Sequence, residues 1–83
     1  MIYNEIYNLI DMVKEAKAMF PNSAELECLM NDRDFIEMAY FARDYNDETI
    51  CGLSLSKFKI LGITAVSDSA IQRNTILIRE VKH

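Results

Sequence analysis

Hydrophobic residues recur at alternating steps of four and three along the first twenty positions, the spacing of a helix with one apolar face. The stripe consists of Ile2, Ile6, Leu9, Val13, Ala16 and Phe20, widened by Ile10 and Met19. Pro21 disfavours helical geometry in the residue before it. The pattern therefore predicts an amphipathic helix over about residues 2–20. Because the stripe spans fewer than three heptads, we expect it to dock on a sheet rather than to form a coiled coil.

The hydrophobic period then changes to two. Glu25 and Glu27 alternate with Ala24, Leu26 and Cys28, which favours a half-buried strand near residues 24–30. A helix stays open as the alternative here, because Ala, Glu, Leu and Met are good helix formers.

A helical period returns after residue 30. Asn31 is a capping residue, and the acidic side chains of Asp32 and Asp34 favour the positive N-terminal end of a helix. Apolar residues follow at helical spacing and also occupy a second side of the cylinder. We expect a second helix of about 13 residues, with one side packed in the domain and the other free to meet a partner.

The last third of the chain favours β-structure. The segment 49–55, which contains Gly52, is predicted to be an edge strand or an ordered loop. Two runs rich in β-branched residues, 58–66 and 75–81, predict strands joined by a polar connection that Ile71 anchors. The expected fold is a single α+β domain over residues 1–83, with two helices packed on a small antiparallel or mixed β-sheet formed by segments near 24–30, 58–66 and 75–81.

The net charge of −4 conceals two unlike halves. Residues 1–48 contain 11 acidic and 4 basic residues, a net of −7, whereas residues 49–83 contain 2 acidic and 5 basic residues, a net of +3. Carboxylates repel phosphates, so the first half disfavours nucleic acid, and mimicry of DNA is its minor alternative. We interpret the bases of the second half as a solvated face, with phosphate contact as the alternative: Lys57, Lys59, Arg73, Arg79 and Lys82.

No set of residues suited to catalysis is recognisable. His83 is the single histidine and stands at the frayed terminus, where a base is poorly positioned. Cys28 and Cys51 have neither C-x-x-C nor zinc-site spacing, and we expect two buried apolar thiols in a reducing compartment, with a disulfide as the lesser alternative. The carboxylate pairs Glu25/Glu27 and Asp32/Asp34 fit a solvated face and a helix cap better than a cation site. The sequence predicts no enzyme, cofactor or metal.

The chain has neither the pattern of a signal peptide nor an apolar run of membrane-spanning length, so we expect a cytoplasmic protein with no membrane partner. Tyr, Met, Phe and Arg are enriched in the cores of protein interfaces, and these types cluster around the second predicted helix. The candidate protein-binding residues are Met30, Phe35, Met38, Tyr40, Phe41, Arg43 and Tyr45. The alternative is that they form the core. Assembly into a homodimer or higher oligomer would enlarge a core that is small at 83 residues.

One segment, Ile60 to Ile78, shows a longer pattern. Gly62 is followed by a Ser-Asp turn, an apolar anchor and an Asn-Thr-apolar run; the matching residues are Gly62, Ser67, Asp68, Ile71, Asn74, Thr75 and Leu77. The pattern resembles a β-segment of small tailed-phage-encoded proteins and of phage major capsid proteins. Thr64 stands where that pattern has a proline, and the proline before Asn74 is also missing. The alternative is a chance match in a generic strand-turn-strand unit.

The resemblance covers about 19 of the 83 residues and includes no catalytic residue. It implies a small phage product that binds and modulates a host or phage protein. A virion or assembly component and a nucleic-acid-binding regulator are the alternative functions.

Overall fold

A computed structural model describes residues 3–45, 49–54 and 56–82, apart from the side chains of Tyr3 and Leu53. The predicted helix start at Ile2, the polar segment 46–48 and His83 lie outside these residues. The elements are α1 (Tyr3–Lys17), β1 (Leu26–Met30), α2 (Asp32–Asp44), β2 (Ile50–Ser54), β3 (Lys57–Ile60), β4 (Ile63–Ser67) and β5 (Ile76–Glu80). The five strands form one mixed sheet in the order β2-β3-β4-β1-β5, which confirms the α+β prediction.

The first helix follows its apolar stripe but ends earlier than predicted. Ile6, Leu9, Ile10 and Val13 are buried, and each buried aliphatic side chain stabilises the fold by about 1.5–3 kcal/mol. After Lys17 the chain tightens, because Met19 donates to the Ala16 carbonyl at 3.1 Å, an i→i−3 bond that closes the last turn. Met19 therefore does not widen the stripe as predicted: it is 86% exposed.

The second helix begins and ends as its pattern predicts. It spans 13 residues, and the Asn31 side chain accepts the Arg33 backbone N–H at 2.9 Å. That bond satisfies one of the donors that a helix leaves unpaired in its first turn. The strand prediction for residues 24–30 is also confirmed, as β1.

The run 58–66 is two strands, not one. Ile60 pairs with Ile63 across a two-residue turn, so β3 and β4 form a hairpin. Leu61 and Gly62 in this turn have φ values of +52° and +81°, the left-handed geometry that suits the twist of a two-residue hairpin. Gly62 thus forms a turn instead of bending a strand. Within the predicted segment 49–55, Ile50–Ser54 form β2, an edge strand paired with β3, and Leu55 lies outside the described residues.

The unit from β4 to β5, unlike the one from β3 to β4, is not a hairpin. β1 lies between these strands, parallel to β4 and antiparallel to β5. The connection 68–75 therefore passes the C-terminal end of β1, where α2 begins. This arrangement brings part of the segment Ile60–Ile78 against the first turn of the second helix.

Both helices pack on one face of the sheet. The strand residues on that face join the helix residues in one core, among them Cys28, Ile60, Ile63 and Ile78. Alternate strand residues occupy the second face, where Leu29 pairs with Val66 on one side and Leu77 on the other.

Close approach of α2 to β2 makes Gly52 sensitive to substitution. A Cβ atom at this position lies 3.2 Å from both the carbonyl carbon and the Cβ of Ala42. We expect Gly52→Ala to lower the free energy of unfolding by about 1–3 kcal/mol, because backbone must move to admit the methyl group. Urea denaturation with an unchanged slope measures the loss.

Gly62→Asn is the matched control. No atom lies within 4 Å of a Cβ at Gly62, and Asn tolerates positive φ. We expect a change of at most about 0.5 kcal/mol. Equal losses in the two variants would contradict the packing of α2 on β2.

Candidate functional site

The seven candidate residues divide between the core and the surface. Met30, Phe35, Met38 and Phe41 are at most 8% exposed and belong to the core. Tyr40, Arg43 and Tyr45 are exposed. The division follows from the helix period, because α2 turns Phe35, Met38 and Phe41 toward the sheet and α1, whereas Met30 comes from β1. The four buried residues are not accessible to a partner of the folded chain.

The outer face of α2 carries Ile36, Tyr40 and Arg43, which we name the outer ridge. These residues are spaced at i, i+4 and i+7, so they follow one line along the helix. The guanidinium carbon of Arg43 lies 4.9 Å from the Tyr40 ring centroid, a cation–π contact, and its Nε lies 3.1 Å from an Asp44 carboxylate oxygen. Ile36 is 54% exposed and Tyr40 is 46% exposed.

A second group, the aromatic seam, consists of the exposed Tyr7 and Tyr45 and the buried Phe41 between them, at the junction of the two helices. The Tyr7 ring meets Phe41 edge to face with centroids 6.1 Å apart, and Tyr45 lies over Phe41 at 5.0 Å. Phe41 is nearly buried and supports two half-exposed tyrosines. Such aromatic contacts limit the rotamers of the exposed rings before any partner arrives.

The candidate list omits Tyr7 and Ile36, although the sequence places Ile36 on the second apolar side of α2 that is free to meet a partner. Each is a large apolar residue outside the buried stripe of its helix, and they are 55% and 54% exposed. The helical period indicates that both residues are exposed, because a residue about 100° or more around the helix axis from the middle of the buried stripe does not face the core.

The first turn of α2 is anchored by Asp34, which is fully buried. One of its carboxylate oxygens accepts Arg73 Nε at 2.7 Å, and the other accepts the Asn74 backbone N–H at 2.7 Å. Arg73 also reaches Glu37 at 3.3 Å. The hydrogen bond that Arg73 donates to Asp34 is the main cause that raises the pKa of Arg73. Asp34 is therefore a structural acceptor and not a free carboxylate.

Neighbouring polar groups complete the same junction. The Asn31 side chain donates to the Ile71 carbonyl at 2.8 Å, and the Ser67 hydroxyl donates to Asp32. Ile71 anchors the connection through its backbone here. The Asp68 N–H donates to the Met30 carbonyl at 2.8 Å, which continues the pairing of β1 with β4. Asn74 has a φ of +61°, a conformation that Asn adopts more readily than most residues.

The carboxylates considered for a cation have protein partners. Asp32 accepts a hydrogen bond from Ser67, and Asp34 accepts hydrogen bonds from Arg73 and Asn74. Glu27 of β1 forms an ion pair with Arg79 of β5. Within ranges 3–45, 49–54 and 56–82, no cluster of three or more His, Cys, Asp or Glu residues could hold a metal ion.

Two of the five bases proposed for a solvated or phosphate-binding face are engaged in ion pairs. Arg73 binds Asp34 and Glu37, and Arg79 binds Glu27. Lys57 and Lys59 lie exposed on β3, but Phe58 between them is 1% exposed and turns to the core. Phe58 therefore cannot stack on a base, which weakens the nucleic-acid alternative.

The two cysteines are free thiols and do not form a disulfide. Cys28 is fully buried as predicted, and its burial raises the pKa of the thiol to about 12. Cys51 departs from the prediction, because it is only partly buried.

Comparisons with protein-family models, with curated proteins and with solved structures found no significant match. Neither described helix is both long enough and apolar enough to cross a bilayer.

Removal of the Asp34 carboxylate tests its anchoring role. We expect Asp34→Ala to lower the free energy of unfolding by about 1–3 kcal/mol, because the Asn74 N–H loses its acceptor. Asp34→Asn retains an acceptor oxygen and should lose less. Chemical denaturation measures stability, and amide hydrogen exchange at Asn74 should accelerate in the alanine variant. Asp44→Ala, at an exposed ion pair, is the control and should change stability by less than about 0.5 kcal/mol.

Thiol reactivity should separate the two cysteines. At pH 8 the raised pKa of Cys28 reduces its thiolate fraction roughly a thousandfold relative to the ordinary value of 9.0, and burial blocks access. We expect iodoacetamide to modify one thiol, Cys51, in the folded chain and both thiols in urea, as read by peptide mass spectrometry. Equal modification of both in the folded state would contradict the burial of Cys28.

Proposed function

We propose that this protein is a non-enzymatic binding factor that uses the outer ridge and the aromatic seam of its helical layer to contact another protein. The observation that carries the proposal is the presence of three half-exposed tyrosines, each held by a neighbour. Tyr7 and Tyr45 pack on Phe41, and Tyr40 lies under Arg43.

Tyrosine and arginine suit this role for physical reasons. A tyrosine buries a large apolar ring while its hydroxyl group keeps a hydrogen bond, and both residue types are enriched among residues that dominate binding energy. Rings already held by packing lose less conformational entropy when a partner binds. The supported contacts therefore favour binding over a merely solvated helix face.

Charge indicates the kind of partner. The two helices together contain seven acidic and four basic residues, a net of −3, with Glu37 and Asp44 close to the outer ridge. Opposite charge around an apolar contact increases the association rate and selects the partner. The proposed partner has apolar pockets that accept tyrosine rings, rimmed by lysine or arginine.

The resemblance of Ile60–Ile78 to small tailed-phage-encoded proteins supports a phage setting. In that setting the partner is a host or phage protein in the bacterial cytoplasm, and binding modulates its activity. The chain contributes a surface to this function and no chemistry of its own.

Matched variants test the proposal. Immobilised protein should retain a stoichiometric protein from bacterial lysate, and Tyr40→Glu should weaken retention at least about tenfold, the effect of losing a contact worth about 1.4 kcal/mol. The fold should survive, because Tyr40 is 46% exposed. Purified partner and titration calorimetry give the affinities.

Thr64→Glu is the control, since Thr64 is exposed on the sheet face opposite the helices. It should bind as the unaltered chain does. Equal retention by Tyr40→Glu, or equal loss in Thr64→Glu, would contradict a helical binding surface. Recovery of the protein in purified phage particles would favour the virion alternative instead.

A further inference from the structure

The outer edge of β5 offers a row of backbone groups for pairing. Val81 donates its N–H to the Glu25 carbonyl at 2.8 Å, so odd-numbered residues of this strand direct their backbone groups toward β1. Ile76, Ile78 and Glu80 therefore direct their N–H and C=O groups away from the sheet. Among the described residues, none donates to or accepts from these outward groups, and β5 is terminal in the strand order.

Apolar side chains border this edge on both faces. On the second face, Val66, Leu29 and Leu77 form a row that ends at the edge, where Leu77 is 50% exposed. On the helix face, a groove beside Ile76 is lined by Met12, Ala16 and Met19, with Glu15 as its charged member. A strand added here would cover apolar surface as well as satisfy backbone groups.

The side chains favour a second copy of β5 as that strand. In an antiparallel pair centred on Leu77, this residue lies opposite Leu77 of the second copy, so the apolar row of one copy meets the same row of the other. On the helix face, Ile76 then lies opposite Ile78 of the second copy. Arg79 then faces Thr75. Centring the pair on Ile78 sets Arg79 against Leu77, and centring it on Arg79 sets two like charges opposite each other, which is destabilising.

We propose that this chain forms a two-fold dimer in which β5 pairs with β5 of a second copy, centred on Leu77, to give a continuous ten-stranded sheet. The inference does not rest on the proposed function, because the helical surface and the β5 edge share no residue. The interface is self-complementary, as a two-fold axis requires.

A cysteine at the axis tests both dimer and register. Leu77 directs its backbone groups toward β1, so the two Leu77 residues at the axis form a non-hydrogen-bonded antiparallel pair. The Cα atoms of such a pair lie about 4.5 Å apart, within the range that a disulfide bridges. In a Cys51→Ser background, Leu77→Cys should form a disulfide-linked species of twice 9.6 kDa on mild oxidation. Thr75→Cys is the control, since its two copies would lie about 13 Å apart, four residues along the strand. Equal crosslinking of both variants, or of neither, would overturn the proposal.

Sedimentation of the unaltered chain supplies an independent measurement. A five-residue strand pair is smaller than a standard interface of about 1,600 Å², so we expect the dimer to populate at about 0.1–1 mM. Leu77→Lys should weaken association at least about tenfold by opposing two charges at the axis, whereas Thr64→Lys, distant from the edge, should not. Circular dichroism verifies folding. A chain that stays monomeric over this range of protein concentration would overturn the proposal. The same holds for a monomeric chain whose β5 edge binds extended peptides instead of a second copy.

Discussion

The buried carboxylate of Asp34 joins α2 to the connection between β4 and β5, about 40 residues later in the chain. It accepts hydrogen bonds from Arg73 and from the Asn74 backbone, so the first turn of α2 holds the connection that leads into β5. A buried carboxylate without such donors would cost several kcal/mol in lost hydration. Burial of Asp34 therefore requires the connection 68–75 to pack against the first turn of α2. This packing places β5 on the side of β1 opposite β4.

This position of β5 explains the mixed sheet. β4 runs parallel to β1, and the closed connection carries the chain past the end of β1 so that β5 returns antiparallel on its other side. The position of β1 between β4 and β5 buries Cys28 and Met30 in the core. It also makes β5 a terminal strand, so the junction at Asp34 and the open edge are two consequences of one topology.

With both helices on one face of the sheet, the molecule presents two unlike surfaces. The helical layer is acidic and carries supported tyrosines, and the second sheet face carries an apolar row beside the Glu27–Arg79 ion pair. A domain of 83 residues has little interior in which to enclose a site, which agrees with the recognition by surfaces that we propose. In these proposals the helical surface binds a different protein, whereas the β5 edge binds a second copy of the chain.

Local patterns in the sequence determined much of this protein. The apolar stripe predicted α1, Asn31 and the acids after it predicted the start of α2, and alternation around Glu25 and Glu27 predicted β1. These features are local because each depends on a repeat of 3.6 or 2 residues or on a cap one turn away. The candidate surface was predicted only in part: Tyr40, Arg43 and Tyr45 are exposed, but Phe35, Met38 and Phe41 lie in the core. Tertiary structure alone decided the hairpin at Leu61–Gly62, the insertion of β1 between β4 and β5, and the partners of Asp34. The strand neighbours of β1 depend on contacts between residues 37 to 54 positions apart, which no short-range period encodes.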